Sequence, residues 1–124
     1  MKYSVDKQDK YVVFSVQEEN LNAFIAPDLK SEFVILKNEG VANFILDLTA
    51  VKYVDSSGLS AILTANRLWS ESGVFVLTGV QSKSVKDLIE ISRLENILTI
   101  IPTVSESIDY IFMEEIEKEL GDNE

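Results

Sequence analysis

The sequence predicts one α/β domain: a mostly parallel central sheet of about five strands with about four helices, in the order β-β-α-β-α-β-α-β-α. Three observations point there. The 124-residue length suits one domain of about 100–150 residues and leaves no room for two cores. Hydrophobic residues make up 46% and charged residues 26%, the balance of a folded domain rather than a disordered chain. Short apolar runs alternate with stretches of helical spacing, the pattern of a parallel sheet bearing helices.

Each element has its own warrant. Tyr3 and Val5, then Val12, Phe14 and Val16, alternate with polar residues on either side of Asp6-Lys7-Gln8-Asp9-Lys10, so they read as two strands joined by a hairpin turn. The polar run Gln17-Glu18-Glu19-Asn20 breaks the pattern. Pro27 then stands where a helix begins, because the first helical position needs no N–H. Leu29, Phe33 and Leu36 give that helix an apolar stripe, and Asn38-Glu39-Gly40 ends it. Phe44-Ile45-Leu46-Asp47-Leu48 is the short apolar run expected of a strand covered on both faces. After a turn from Thr49 to Val54 and the segment Asp55-Ser56-Ser57-Gly58, residues Leu59, Ile62, Leu63 and Trp69 mark one face of a second helix. Glu71-Ser72-Gly73 stops it.

Val74-Phe75-Val76-Leu77 reads as the next buried strand. Ser84 and Asp87 have the spacing of a capping box for a third helix carrying Val85, Leu88 and Ile89. Ile97 to Ile101 form the last strand. Thr103-x-x-Glu106 behind Pro102 is a second capping box, and Val104, Ile108, Phe112 and Ile116 are read as the apolar side of a closing helix. Phe33, Trp69 and Phe112 are expected to serve core or edge packing. The domain is placed at residues 1–112. Residues 113–124 hold six acidic residues and one lysine, half of the chain's net charge of −10, and are read as an acidic helix end fraying into a C-terminal tail. An acidic interaction tail is the sharper alternative.

Charge and composition exclude several function classes. Eleven basic against 21 acidic residues give no electrostatic hold on nucleic acid or on an anionic membrane, so a protein partner fits better. With no cysteine, disulfides, a thiolate nucleophile and Cys-based metal sites are out. Without histidine there is no Ser/His/Asp relay and no His-bearing zinc site. Carboxylates are plentiful, yet no pair stands out as a general acid and base. Neither enzymatic activity nor a cofactor or metal is expected. The start, Met1-Lys2-Tyr3-Ser4-Val5-Asp6, lacks a signal-peptide pattern, and no apolar run approaches the roughly 18 residues of a membrane helix. The expectation is a cytoplasmic protein with no direct membrane insertion.

One segment looks like a place for chemistry. Asp55-Ser56-Ser57-Gly58-Leu59 lies at a strand-to-helix turn, where α/β folds commonly place their sites. Asp and Ser are also good N-caps, so plain helix capping explains the residue types as well. A helix N-terminus stabilises negative charge, and a phosphate on a serine there would be well placed to abolish docking of a partner without refolding the domain. The turn lacks the glycines and lysine of a nucleotide-cradling loop.

The stretch from Phe44 through Val54 to Asp55-Ser56-Ser57-Gly58-Leu59, the Glu71-Ser72-Gly73 turn before Val74-Phe75-Val76-Leu77, and the segment from Ser84-Val85 to Ser92-Arg93-Leu94 together resemble the STAS domains, specifically the stand-alone bacterial anti-sigma factor antagonists. The resemblance covers roughly residues 3 to 112 and implies a STAS-like α/β fold. It further implies that Ser56 is the phosphoacceptor of an anti-sigma factor that is also a serine kinase, and that a serine phosphatase restores the free hydroxyl. In such a system the unphosphorylated protein holds the anti-sigma factor and thereby frees a sigma factor for transcription. ATP belongs to the kinase. Ser57, Leu59 and Asn22 are then expected at the partner surface with Asp55, which orients the turn, and Gly58, which lets a partner's backbone approach. A purely structural role for Asp55 and Gly58 stays open. The family usually reads Gly-x-Leu-Asp after its second strand, where this chain has Glu19-Asn20-Leu21-Asn22, so the loop near the phosphoacceptor is altered. The alternative is a STAS-like accessory subunit of a lipid or solute ABC transport complex without a phosphate cycle; a small ligand-binding domain is a more distant third.

Overall fold

The computed structural model describes residues 1–122; the last two positions of the acidic tail, Asn123 and Glu124, lie outside the described residues. In chain order the elements are β1 (Tyr3–Lys7), β2 (Val12–Val16), β3 (Asn20–Leu21), α1 (Ala26–Asn38), β4 (Phe44–Asp47), β5 (Tyr53–Val54), α2 (Ser56–Trp69), β6 (Phe75–Thr78), α3 (Lys83–Ile91), β7 (Thr99–Ile101) and α4 (Val104–Asp122). A five-stranded sheet runs β1-β2-β4-β6-β7. The β1–β2 hairpin is antiparallel and every other pairing in it is parallel. This is the expected α/β architecture.

Alternation sorts the side chains between two layers. Val12, Phe14 and Val16, Phe44 and Leu46, and Phe75 and Leu77 meet α1, α2 and α3 on one face of the sheet. There Phe14, Phe33, Phe44 and Trp69 form a buried aromatic cluster in which the Phe44 and Trp69 rings stack at 4.2 Å. The Trp69 indole N–H donates to the Val41 carbonyl at 2.9 Å, so the ring is buried with its polar atom satisfied. Val13, Ile45 and Val76 point the other way, onto Ile111 of α4. Asn43, buried at the foot of β4, ties the layers together. Its amide N–H groups donate to the Lys10 carbonyl at 2.7 Å and to Glu115 at 2.8 Å, and its oxygen accepts from the Val74 N–H at 2.9 Å.

Several local expectations need correction. β3 and β5, which the sequence reading treats as polar break and turn, pair in parallel as a separate two-stranded sheet. The last strand starts at Thr99 because the N–H groups of Ile97 and Leu98 close a turn onto the Leu94 carbonyl. Helix α3 is capped at Ser82, whose hydroxyl donates to the Lys52 carbonyl, and Asp87 pairs with Lys83 at 2.8 Å instead of boxing Ser84. That bond holds the Lys83 pKa above its ordinary value. Half of the Thr103 box forms: the Glu106 N–H donates to the Thr103 hydroxyl at 3.1 Å, and the Glu106 carboxylate accepts from that hydroxyl at 3.0 Å rather than from the Thr103 backbone. On α4 the buried side runs through Ser107 and Ile111, while Phe112 and Ile116 face solvent. Ser107 tolerates burial because its hydroxyl donates to the Thr103 carbonyl at 2.7 Å. Phe112 makes an edge contact with Tyr11, rings 6.1 Å apart.

Candidate functional site

The Asp55-Ser56-Ser57-Gly58 turn is built by two loops laid side by side. β3 and β5 pair Asn20 with Tyr53 and Leu21 with Val54, and the Asp55 N–H extends the pairing by donating to the Leu21 carbonyl at 3.2 Å. This short ladder brings the loop before α1 against the loop before α2. Asp55 is the N-cap of α2, in extended conformation, and its carboxylate reaches both ways. One oxygen accepts from the Gly58 N–H at 2.9 Å, the other from the Ala23 N–H at 3.3 Å. Through these two bonds the Asp55 carboxylate ties the start of α2 to the loop before α1.

Gly58 is buried, and a Cβ there would overlap the Leu21 carbonyl. The close backbone approach it permits is made by β3 of the same chain. Leu59 is half-buried against the main core. Asn22 shapes its own loop: its side-chain oxygen accepts from the Phe24 N–H at 3.0 Å, and its carbonyl accepts from Ile25 and Ala26 at 3.1 and 2.9 Å. Those bonds start α1, whose N-cap residue Ile25 offers no side-chain acceptor.

Ser56 is exposed and Ser57 half-buried at the first turn of α2. Both border a shallow depression of about 260 Å³ shared with Ala23, Ala26, Pro27, Lys30 and Ser60. The Lys30 ammonium donates to the Ser60 hydroxyl at 3.0 Å on its rim. A hydroxyl here sits where free helix N–H groups and the macrodipole favour negative charge, with one ammonium close by. The bonds that hold the turn are made by Asp55, Gly58, Leu21 and Ala23 and leave the Ser56 hydroxyl out.

Two features escaped the sequence reading. Phe24 is 90% exposed on the loop tethered to Asp55; its only local signal is a lone aromatic outside every helical stripe. Lys30 reaches the depression from α1, which depends on how the two helices pack. Among the described residues no group of three or more acidic side chains gathers as a metal site, and no helix is long and apolar enough to cross a membrane.

The STAS domain model matches residues 2–107. Among solved structures, an anti-sigma factor antagonist from Mycobacterium paratuberculosis superposes with a TM-score of 0.80 at 18% identity, covering 89% of this chain and 92% of that one. The Thermotoga maritima protein TM1081 gives 0.77 at 25% identity, with 88% and 93% covered. SpoIIAA, a Bacillus cell fate determinant and anti-sigma factor antagonist, gives 0.74 in its unphosphorylated form at 18% identity, with 89% and 96% covered.

Proposed function

The chain belongs to the STAS domain family, and we propose that it acts as an anti-sigma factor antagonist switched by phosphorylation of Ser56. The observation that carries this reading is the placement of Ser56: exposed, at the first residue of α2, beside a carboxylate-capped turn whose own bonds do not use its hydroxyl. The unphosphorylated face, with Asn22, Asp55, Ser57, Gly58 and Leu59 around Ser56, docks on an anti-sigma factor that is also a serine kinase. That docking releases a sigma factor for transcription, in the cytoplasm.

The chain itself supplies no catalysis. The Ser56 oxygen attacks the γ-phosphorus of ATP held by the kinase, the bond to ADP breaks, and the hydroxyl proton leaves to a base on the kinase. The product carries about −1.5 to −2 charges and three acceptor oxygens at the helix start. Lys30 and the free N–H groups of α2 hold that charge within this chain, while the Asp55 carboxylate beside it makes the face strongly anionic. A partner surface shaped for the neutral hydroxyl is then repelled, and a serine phosphatase restores the cycle.

The test pairs the purified chain with its cognate kinase and ATP, followed by phosphopeptide mass spectrometry. One phosphate is expected at Ser56 and none on a Ser56→Ala chain. Phosphate on Ser57 or elsewhere refutes the assignment. Co-purification with an ABC-type ATPase in place of a kinase would favour the transport role.

A further inference from the structure

Helix α4 leaves the domain at the end away from Ser56. Its first turn follows β7, and Glu115 meets Asn43 just before the central strand β4, at the end of the parallel strands opposite to the one that leads to Ser56, so the remaining turns to Asp122 run on beyond it. Glu114, Glu115 and Lys118 face the Ser72–Val74 turn of the domain. The other side carries Phe112, Met113, Ile116 and Leu120, exposed by 45, 58, 52 and 62%. Met113, Ile116 and Leu120 have the three-four spacing of a coiled-coil seam, with Glu117 and Glu119 at the positions that flank it and Lys118 on the opposite side, by the Ser72–Val74 turn. The neighbouring Phe112 ring is braced edge-on by Tyr11.

We propose that this seam is a second docking surface, and that its occupant is an amphipathic helix of another protein whose apolar stripe is flanked by lysine or arginine. Charge complementarity selects that occupant. An antiparallel second copy would set Glu117 and Glu119 against their own likes, and a parallel one would set Glu117 beside Phe112 with no cation to meet it, which disfavours self-pairing. A basic-flanked helix meets opposite charge on both sides of the seam and is also steered by the acidic chain as a whole. The surface lies at the far end of the fold from Ser56, so its occupancy is independent of the phosphate switch and lets the chain hold two partners at once.

The test titrates labelled synthetic helices against the full chain by fluorescence anisotropy. One has leucines on a heptad seam and lysines at the flanks, one has the same seam with glutamates, and one has the lysine helix's composition with the seam scrambled. Saturable binding of the first alone is expected, weakened at least about tenfold by Ile116→Ser with Leu120→Ser and unchanged by Ser56→Asp. Both substituted positions are exposed, so thermal melting of the double variant should match the parent. Equal binding of the scrambled helix, or binding indifferent to the double substitution, overturns the proposal. So does a dimer in sedimentation that Ile116→Ser with Leu120→Ser abolishes, since the seam would then belong to a second copy.

Discussion

Replacing Asp55 removes one side chain that holds two loops, and the structure permits the loss to be worked out bond by bond. Its first oxygen takes the N–H of buried Gly58 at 2.9 Å and its second the Ala23 N–H at 3.3 Å. Losing a carboxylate N-cap costs about 0.5–2 kcal/mol. The value here belongs at the upper end, because Gly58 is pressed against Leu21 and its N–H is left orphaned. The Ala23 bond is long and exposed, worth at most about 0.5 kcal/mol. Asp55→Ala is therefore expected to lower stability by about 1.5–2.5 kcal/mol. Asp55→Asn separates geometry from charge. Its carbonyl keeps the Gly58 bond, its NH₂ group turns uselessly toward the Ala23 N–H, and the carboxylate's attraction to the helix dipole disappears, for a loss of about 0.5–1 kcal/mol. Urea denaturation followed by the fluorescence of Trp69, the single tryptophan and fully buried, reads both variants at unchanged m. A loss below about 0.5 kcal/mol for Asp55→Ala, or equal losses for the two variants, would refute the bridging role.

Four further outcomes are expected. Asn43→Ala cuts bonds to Lys10, Val74 and Glu115 at once and should cost about 2–4 kcal/mol in the same denaturation assay, with faster hydrogen exchange at the Val74 amide. Thr78→Val should raise stability by about 0.5–1.5 kcal/mol, because the buried Thr78 hydroxyl has no partner among the described residues and valine keeps its shape; a lowered melting temperature would show that the hydroxyl is satisfied. Gly58→Ala gains helix propensity yet drives a Cβ into the Leu21 carbonyl, so a net loss of about 1–3 kcal/mol is expected, and a stabilised variant would mean that β3 retreats freely. Phe24→Ser should leave the melting curve in place and weaken binding to the cognate anti-sigma factor by at least about tenfold, as an exposed aromatic anchor would; calorimetry showing equal affinities would remove Phe24 from the interface.

The main sheet is legible in the sequence because its strands either alternate, as in Val12-Phe14-Val16, or run unbroken, as in Phe44-Ile45-Leu46. β3 and β5 are not, since two residues each are too few to show a period of two. Their pairing is fixed by tertiary position alone. The inner face of α4 is read only in part: Val104 and Ile108 do pack against the sheet, but a search for apolar spacing passes over Ser107, whose hydroxyl is satisfied within its own helix. At the site, the capping role of Asp55 follows from residue type and position. The nearness of the Asn22 loop came from family resemblance, and the positions of Phe24 and Lys30 came from neither, because both depend on how α1 and α2 pack.

The bonds of the turn are divided so that the proposed phosphate on Ser56 would change its charge without disturbing the fold. The groups that make the turn rigid, the Asp55 carboxylate, the Gly58 and Ala23 N–H groups and the Leu21 carbonyl, are spent on one another. Ser56 stands one residue beyond the cap, on solvent, with α2 anchored behind it by Ile62, Ala65 and Trp69 in the core. The proposed phosphate would meet helix N–H groups and Lys30 and would have no buried contact to break, so its effect would fall on whatever docks outside. Asn22 fits the same logic. Its amide oxygen performs the local task of an aspartate by accepting the Phe24 N–H, while withholding a second carboxylate from the face that Asp55 already makes negative. The amide thus keeps the loop's shape, and on the proposed function it would alter the charge that a partner meets.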